Sequence, residues 1–175
     1  QRILVYVVDV TNTEKGPKIM ISRTHPGLVK RLFEREVPEI YDGTVEIKAI
    51  AREAGSRTKL AVYSKDENVD AVGACIGNRG SRVNVIVDEL GGEKIDVINY
   101  SEDPAKFIAA ALSPADVVSV EETEGEIKSC RVRVPDSQLS LAIGNKGQNV
   151  RLAVRLTGYK IDIRPESGYF GEGEE

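Results

Sequence analysis

Two near-copies of one glycine-containing phrase stand 67 residues apart in this 175-residue chain. The first reads Ile76-Gly77-Asn78-Arg79-Gly80, followed by Val83; the second reads Ile143-Gly144-Asn145-Lys146-Gly147, followed by Val150. A lone Gly-x-x-Gly says little in a chain with 16 glycines. A pair agreeing at the isoleucine, both glycines, the asparagine, a basic residue and the valine marks a duplicated unit. The chemistry such a phrase offers is anion binding. Glycine has no Cβ, so a phosphate backbone can approach the turn closely. A turn that opens a helix presents N–H groups without intrahelical partners at the positive end of the helix dipole, where phosphate is readily held. Asn78-Arg79 and Asn145-Lys146 add an amide and a cation to each turn. Gln148, Asn149 and Arg151 follow the second turn, and Ser81, Arg82 and Asn84 follow the first. Of these, Arg82 and Arg151 are phosphate candidates, with helix-surface charge as the plain alternative.

Other glycine chemistries fail on spacing. A nucleotide-binding P-loop needs four residues between its glycines and then Lys-Ser or Lys-Thr. A dinucleotide fingerprint would need glycine where the chain has Cys75. Each phrase instead falls between two apolar helical stretches, at residues 69–76 and 83–90 and again at 139–143 and 150–156. A helix–GxxG–helix with a basic residue in the loop is how a KH domain clamps the backbone of a single nucleic-acid strand.

The elements that must position these loops can be read around them. Residues 44–50 alternate, with Val45, Ile47 and Ala49 on one side and Thr44, Glu46 and Lys48 on the other, as a half-buried strand does. Ala54-Gly55-Ser56 makes a turn, residues 58–63 return as a second strand, and residues 95–98 form a third after the helix pair. In the second copy, a helix at 104–112 precedes strands at 117–120, 127–134 and 159–163, the last repeating Lys94-Ile95-Asp96-Val97 as Lys160-Ile161-Asp162-Ile163. A helix at 27–36 leads the first copy. The order α-β-β-α-α-β, twice, predicts an α+β fold with helices layered on three-stranded sheets.

At these residues the chain resembles a known family. The Ser22-Arg23-Thr24-His25-Pro26-Gly27-Leu28 junction, Glu36-Val37-Pro38-Glu39-Ile40-Tyr41-Asp42-Gly43, Ala51-Arg52-Glu53-Ala54-Gly55, Val72-Gly73-Ala74-Cys75-Ile76-Gly77 and Leu141-Ala142-Ile143-Gly144 read as the C-terminal part of the RNA-binding region of the bacterial NusA transcription factors do. The resemblance implies tandem type II KH domains preceded by an OB-fold barrel. It further implies a role in pausing, termination and antitermination, with nascent single-stranded RNA, RNA polymerase and other elongation factors as partners of the intact protein. The chain opens at Gln1 inside an apolar run at residues 3–10, followed by a turn at 11–16 and a strand at 18–22. An isolated hairpin is marginal in water, so residues 1–24 read as the last strands of a barrel whose front is missing, and the chain as a trimmed piece. The expected domains are 25–99 and 100–165, with an acidic, disordered tail at 166–175.

The net charge of −4 argues against a nucleic-acid partner until its distribution is seen. Residues 127–164 hold eight Lys or Arg against two acids, whereas 101–126 hold seven acids and one lysine. The second unit should therefore carry most of the attraction. Within it, Arg131 and Arg133 alternate with Cys130, Val132 and Val134 and should leave the sheet on the face away from the helices, where they touch RNA or stay solvated. Glu121-Glu122 reads as a solvated acidic connector. The two cysteines have no metal spacing and read as buried, reduced thiols. A single histidine, His25, leaves neither a zinc site nor a histidine triad. The expectation is a cytoplasmic RNA-binding protein with no membrane span, no cofactor and no catalysis. Two other classes stay open: a KH module of another RNA-processing protein, and a protein-interaction module with vestigial GxxG loops.

Overall fold

A computed structural model describes residues 1–168. The chain opens with an antiparallel hairpin, β1 (Tyr6–Thr13) and β2 (Gly16–Ser22). Its turn is tighter than expected: Thr13 pairs with Gly16, and Gly16 takes φ 110°. Then come α1 (Pro26–Glu36), α2 (Pro38–Tyr41), β3 (Val45–Glu53), β4 (Arg57–Ser64), α3 (Ala71–Ile76), α4 (Val83–Glu89) and β5 (Lys94–Asn99). The second copy runs α5 (Pro104–Ala111), β6 (Ser119–Thr123), β7 (Ser129–Val134), α6 (Leu139–Ile143), α7 (Gln148–Thr157) and β8 (Lys160–Pro165). Sheet orders β3-β4-β5 and β6-β7-β8 match, each with one antiparallel and one parallel pair. The doubled α-β-β-α-α-β order is observed, with one short helix, α2, added after α1 in the first copy.

Local chemistry explains most boundaries. Helix α1 starts where His25 Nδ1 accepts from the Gly27 N–H at 2.9 Å, and its ring stacks on Tyr6 at 4.7 Å. The lone histidine of the linker is thus a helix cap. Leu28, Val29, Leu32 and Phe33 recur at helical spacing and bury one face. The strict alternation expected for β3 breaks at a bulge between Ile47 and Ala49, which shifts the register and leaves Lys48 exposed. The β6–β7 pair also differs from expectation. Glu121 and Glu122 lie within β6, opposite Arg131 and Cys130, and Ile127 falls outside the ladder at 71% exposure. Cross-strand partners, invisible to a local pattern, set these limits. The tail expected at 166–175 lies outside the described residues from position 169 onward.

Two apolar cores result. The first lies between α1, α3, α4 and the near face of the first sheet, around Phe33, Leu60, Val62, Cys75 and Ile86. The second contains Ile108, Leu112, Val132, Leu152 and Ile163 of the second unit together with Ala51, Ala61 and Ile98 of the first. The first sheet is therefore buried on both faces, its far face by α5 and α7. Buried charges pin the same region. Lys59, fully buried, donates to Asp96 at 2.9 Å and to the Ser113 carbonyl at 2.7 Å, and burial pushes its ammonium below the ordinary lysine value. Glu93 accepts from Arg52, from Thr58 Oγ1 at 2.7 Å and from the Gly55 N–H at 2.7 Å, while Arg52 also donates to the His25 carbonyl. The side chains of Arg52 and Glu93 are 3% and 0% exposed.

Removing one member of such a pair leaves the other buried and uncompensated. Glu93→Ala should cost about 3 kcal/mol, measured as a lowered urea midpoint with an unchanged slope.

Candidate nucleic-acid interface

The two loops share one backbone conformation. Gly77 and Gly144 adopt φ 76°, ψ 171° and φ 82°, ψ 171°. The cations follow suit, Arg79 at φ 54°, ψ 33° and Lys146 at φ 53°, ψ 31°. These are the only non-glycine residues at positive φ among those described. A left-handed non-glycine residue costs roughly 1–2 kcal/mol, and here the same cost recurs at the cation of both copies. Equal hydrogen bonds close the turns: Gly80 N to the Gly77 carbonyl and Gly147 N to the Gly144 carbonyl, both at 3.1 Å. Asn78, Arg79, Asn145 and Lys146 are exposed, and among the described residues their side chains are tied to no protein partner.

The first glycine of each loop is required by packing, a reason the sequence alone did not supply. A Cβ on Gly144 would lie 2.6 Å from the Asn149 backbone nitrogen, and one on Gly77 would lie 2.9 Å from that of Arg82. The loop folds back on the helix that follows it, and only a residue without Cβ fits. At Gly147 the space is open, with Arg151 Nη1 the nearest atom at 3.9 Å.

The flanking polar residues divide by direction. Arg82 and Asn149 occupy equivalent positions, and both turn inward. Arg82 Nη1 donates to the Ala74 carbonyl at 2.7 Å and to Glu39 at 2.8 Å. Asn149 is 2% exposed, and its amide donates to the carbonyls of Ala142 and Leu112. The expectation that the Asn149 side chain meets phosphate is corrected: it secures helix-end carbonyls left without intrahelical partners. Arg82 does the same from a half-buried position. Gln148 and Arg151 turn instead toward the first unit. Gln148 donates to Glu53 at 2.8 Å and to Ser56 Oγ at 2.6 Å. Arg151 donates from Nε to Glu53 and from Nη1 to the Lys146 carbonyl at 2.9 Å. The Arg151 hydrogen bond, with help from Gln148, holds the Glu53 carboxyl down at about 2. Sequence reasoning passed over Glu53, Ser56 and Glu39, because their partners lie 98, 92 and 43 residues away.

Arg131 and Arg133 leave the second sheet on the face opposite the loop-bearing helices, and Arg131 pairs with Asp162 at 3.3 Å. Burial pushes the Cys75 and Cys130 thiols up to about 12 and about 11, away from thiolate chemistry. Among the described residues, no helix is long and apolar enough to cross a membrane.

Two GxxG loops on matching helix pairs, each backed by a three-stranded sheet, define a tandem KH protein. Residues 23–100 match the NusA-like first KH domain and residues 104–169 the NusA-like second KH domain. The chain is 63% identical over 166 residues to the transcription termination/antitermination protein NusA of Halalkalibacterium halodurans, covering 95% of this chain and 43% of that protein. The Bacillus subtilis protein of the same name is 61% identical, over 95% of this chain and 44% of its own length. That of Mycobacterium tuberculosis is 58% identical, over 95% and 48%. The chain belongs to the NusA family and spans less than half the length of these relatives. In fold it is similar to the crystal structure of APE1850, with a TM-score of 0.55 at 24% identity over 78% of this chain and 95% of that one.

Gly144→Ala should lower stability by roughly 1–3 kcal/mol from backbone strain alone, with the clash added, seen as a reduced melting temperature. For Glu53 the sign follows from its lowered folded-state value. Its contribution is complete above the ordinary 4.5 and is lost as pH falls toward about 2. The stability gap between wild type and Glu53→Gln at neutral pH should therefore close over that window, as followed by denaturant melts.

Proposed function

We propose that this chain binds single-stranded RNA, with its two GxxG loops acting as successive phosphate clamps in the nascent-RNA-binding part of a termination and antitermination factor. The observation that carries the reading is the duplicated loop geometry with an outward, uncommitted cation in each copy. Gly77, Asn78, Arg79 and Gly80 form the first clamp and Gly144, Asn145, Lys146 and Gly147 the second, within units at 25–99 and 100–165. Arg82 and Asn149 hold the loops from behind. The chain acts as a binding module rather than an enzyme, and contacts with RNA polymerase belong to the longer proteins of the family. Packing of α5 and α7 on the first sheet supports a fixed spacing between the clamps.

The test is binding to single-stranded RNA across a salt series, with matched DNA and duplex RNA as controls. Arg79→Ala and Lys146→Ala leave the loop glycines untouched. Each should weaken binding and make the slope of log affinity against log salt shallower by about 0.7. Wild-type affinity and slope in the double variant, with the fold retained by circular dichroism, would sink the clamp reading and favour a protein partner.

A further inference from the structure

The second loop is not free on its C-terminal side. Gln148 and Arg151 both donate to the carboxylate of Glu53, the last residue of β3 in the other KH unit. Arg155 Nη1 stands 3.9 Å from the same carboxylate. Arg151 simultaneously holds the Lys146 carbonyl, so one guanidinium joins the carboxylate to the loop's own backbone. Among the described residues the first loop meets no carboxylate of the other unit; its Arg82 pairs with Glu39 of its own unit. Ser81 and Asn84 stand at the positions of Gln148 and Arg151, and neither makes a side-chain hydrogen bond among the described residues.

We propose that Glu53 is a resident anion for the second clamp: on RNA binding, a phosphodiester takes its place on Arg151 and Gln148. This deepens the RNA reading and rests on it. A guanidinium presents the same paired donors to carboxylate and to phosphate, so either can occupy them. The pair is also poised for exchange. Arg151 is 42% exposed and Glu53 22%, and ion pairs in that range are weak enough to be displaced. Releasing Glu53 does not detach the two units, because the apolar packing of Ala51, Ala61 and Ile98 against α5 and α7 holds them independently. The carboxyl stays ionised down to about pH 2, so the exchange is by competition rather than by titration. At the positions of Gln148 and Arg151 the first loop carries Ser81 and Asn84, which hold no carboxylate among the described residues; its own anion, Glu39, sits on Arg82 instead. The second loop offers an exposed Lys146 as the first offers Arg79, and gains the Arg151 and Gln148 donors only by displacing Glu53.

The experiment measures binding of the full chain to an unstructured single-stranded oligoribonucleotide long enough to span both loops, over a salt series. It compares wild type, Glu53→Gln, Arg151→Gln and the double variant. Glu53→Gln should bind about twofold to fivefold tighter, with a salt slope steeper by up to about 0.7. The double variant should lose that gain. A second readout needs no variant: the Arg151 Nε–H resonance of the wild-type protein should move on RNA addition. Folded Glu53→Gln that binds no tighter than wild type, or an Arg151 resonance that stays in place, overturns the displacement and leaves Glu53 a static brace. Those results leave the clamp reading intact as long as Arg79→Ala and Lys146→Ala weaken binding. If wild type binds no RNA, the clamp reading falls and the displacement with it.

Discussion

The far face of the first sheet is the surface on which the rest of the molecule depends. In an isolated KH unit that face would look outward. Here Ala49, Ala51, Ala61 and Ile98 meet α5 and α7, so the second unit's core includes the first unit's strands. Three alanines leave room for two helices to approach the sheet closely, and shape fit at this density favours one arrangement over its neighbours. The second sheet shows what the face becomes without a neighbour. Through the matched registers, Ala61 and Ile98 correspond to Arg133 and Arg164, and Ala51 corresponds to Glu121. The same architecture carries small apolar residues where it is covered and charged ones where it is open.

One pair survives that change and measures what coverage does. Lys59–Asp96 in the first unit and Arg131–Asp162 in the second occupy the same cross-strand position. The second pair is open to solvent at 45% and 47% and contributes little. In the first, the lysine is fully buried and its remaining donors reach the Ser113 carbonyl after α5. Burying that ammonium is tolerable only where α5 ends opposite it, so the charge ties the helix to one register on the sheet. A sliding or rotated second unit would leave the lysine unsatisfied, at a cost of several kcal/mol. Apolar packing thus supplies the adhesion, and the buried charge supplies the alignment.

The sequence made the fold legible because its signals were local and came twice. Glycine spacing, strand alternation and the repeated Lys-Ile-Asp motif located the elements of both units without reference to distant residues, apart from the short α2 and the bounds of β6. What escaped it was non-local. The bulge beside Lys48 reverses the alternation of β3 and turns Ala51 toward the second unit, a contact that exists only once that unit is in place. Of the candidate site, the loop residues themselves stand where spacing put them, exposed at the turn. Arg82 and Asn149 carry side chains suited to phosphate yet face inward. Composition states that a residue can donate hydrogen bonds, whereas only the fold decides which acceptor lies within reach. Glu53 had no local signal at all.

The two copies are therefore alike in loop geometry and unlike in surroundings. Duplication preserves what the repeated phrase sets within itself, here the backbone turn of each loop. It does not preserve what neighbours impose, and here the first unit reaches the second loop through the tip of its β3–β4 hairpin, while among the described residues the second unit sends no equivalent contact to the first loop. The asymmetry in charge runs the same way, with the basic excess concentrated between residues 127 and 164. An electropositive loop with a built-in carboxylate is neutralised locally while the unit keeps its longer-range attraction. Long-range field and short-range contact are then set by different residues. A strand drawn in by the field meets an exposed cation at either loop, Arg79 or Lys146, while Arg151 beside the second is already held by Glu53.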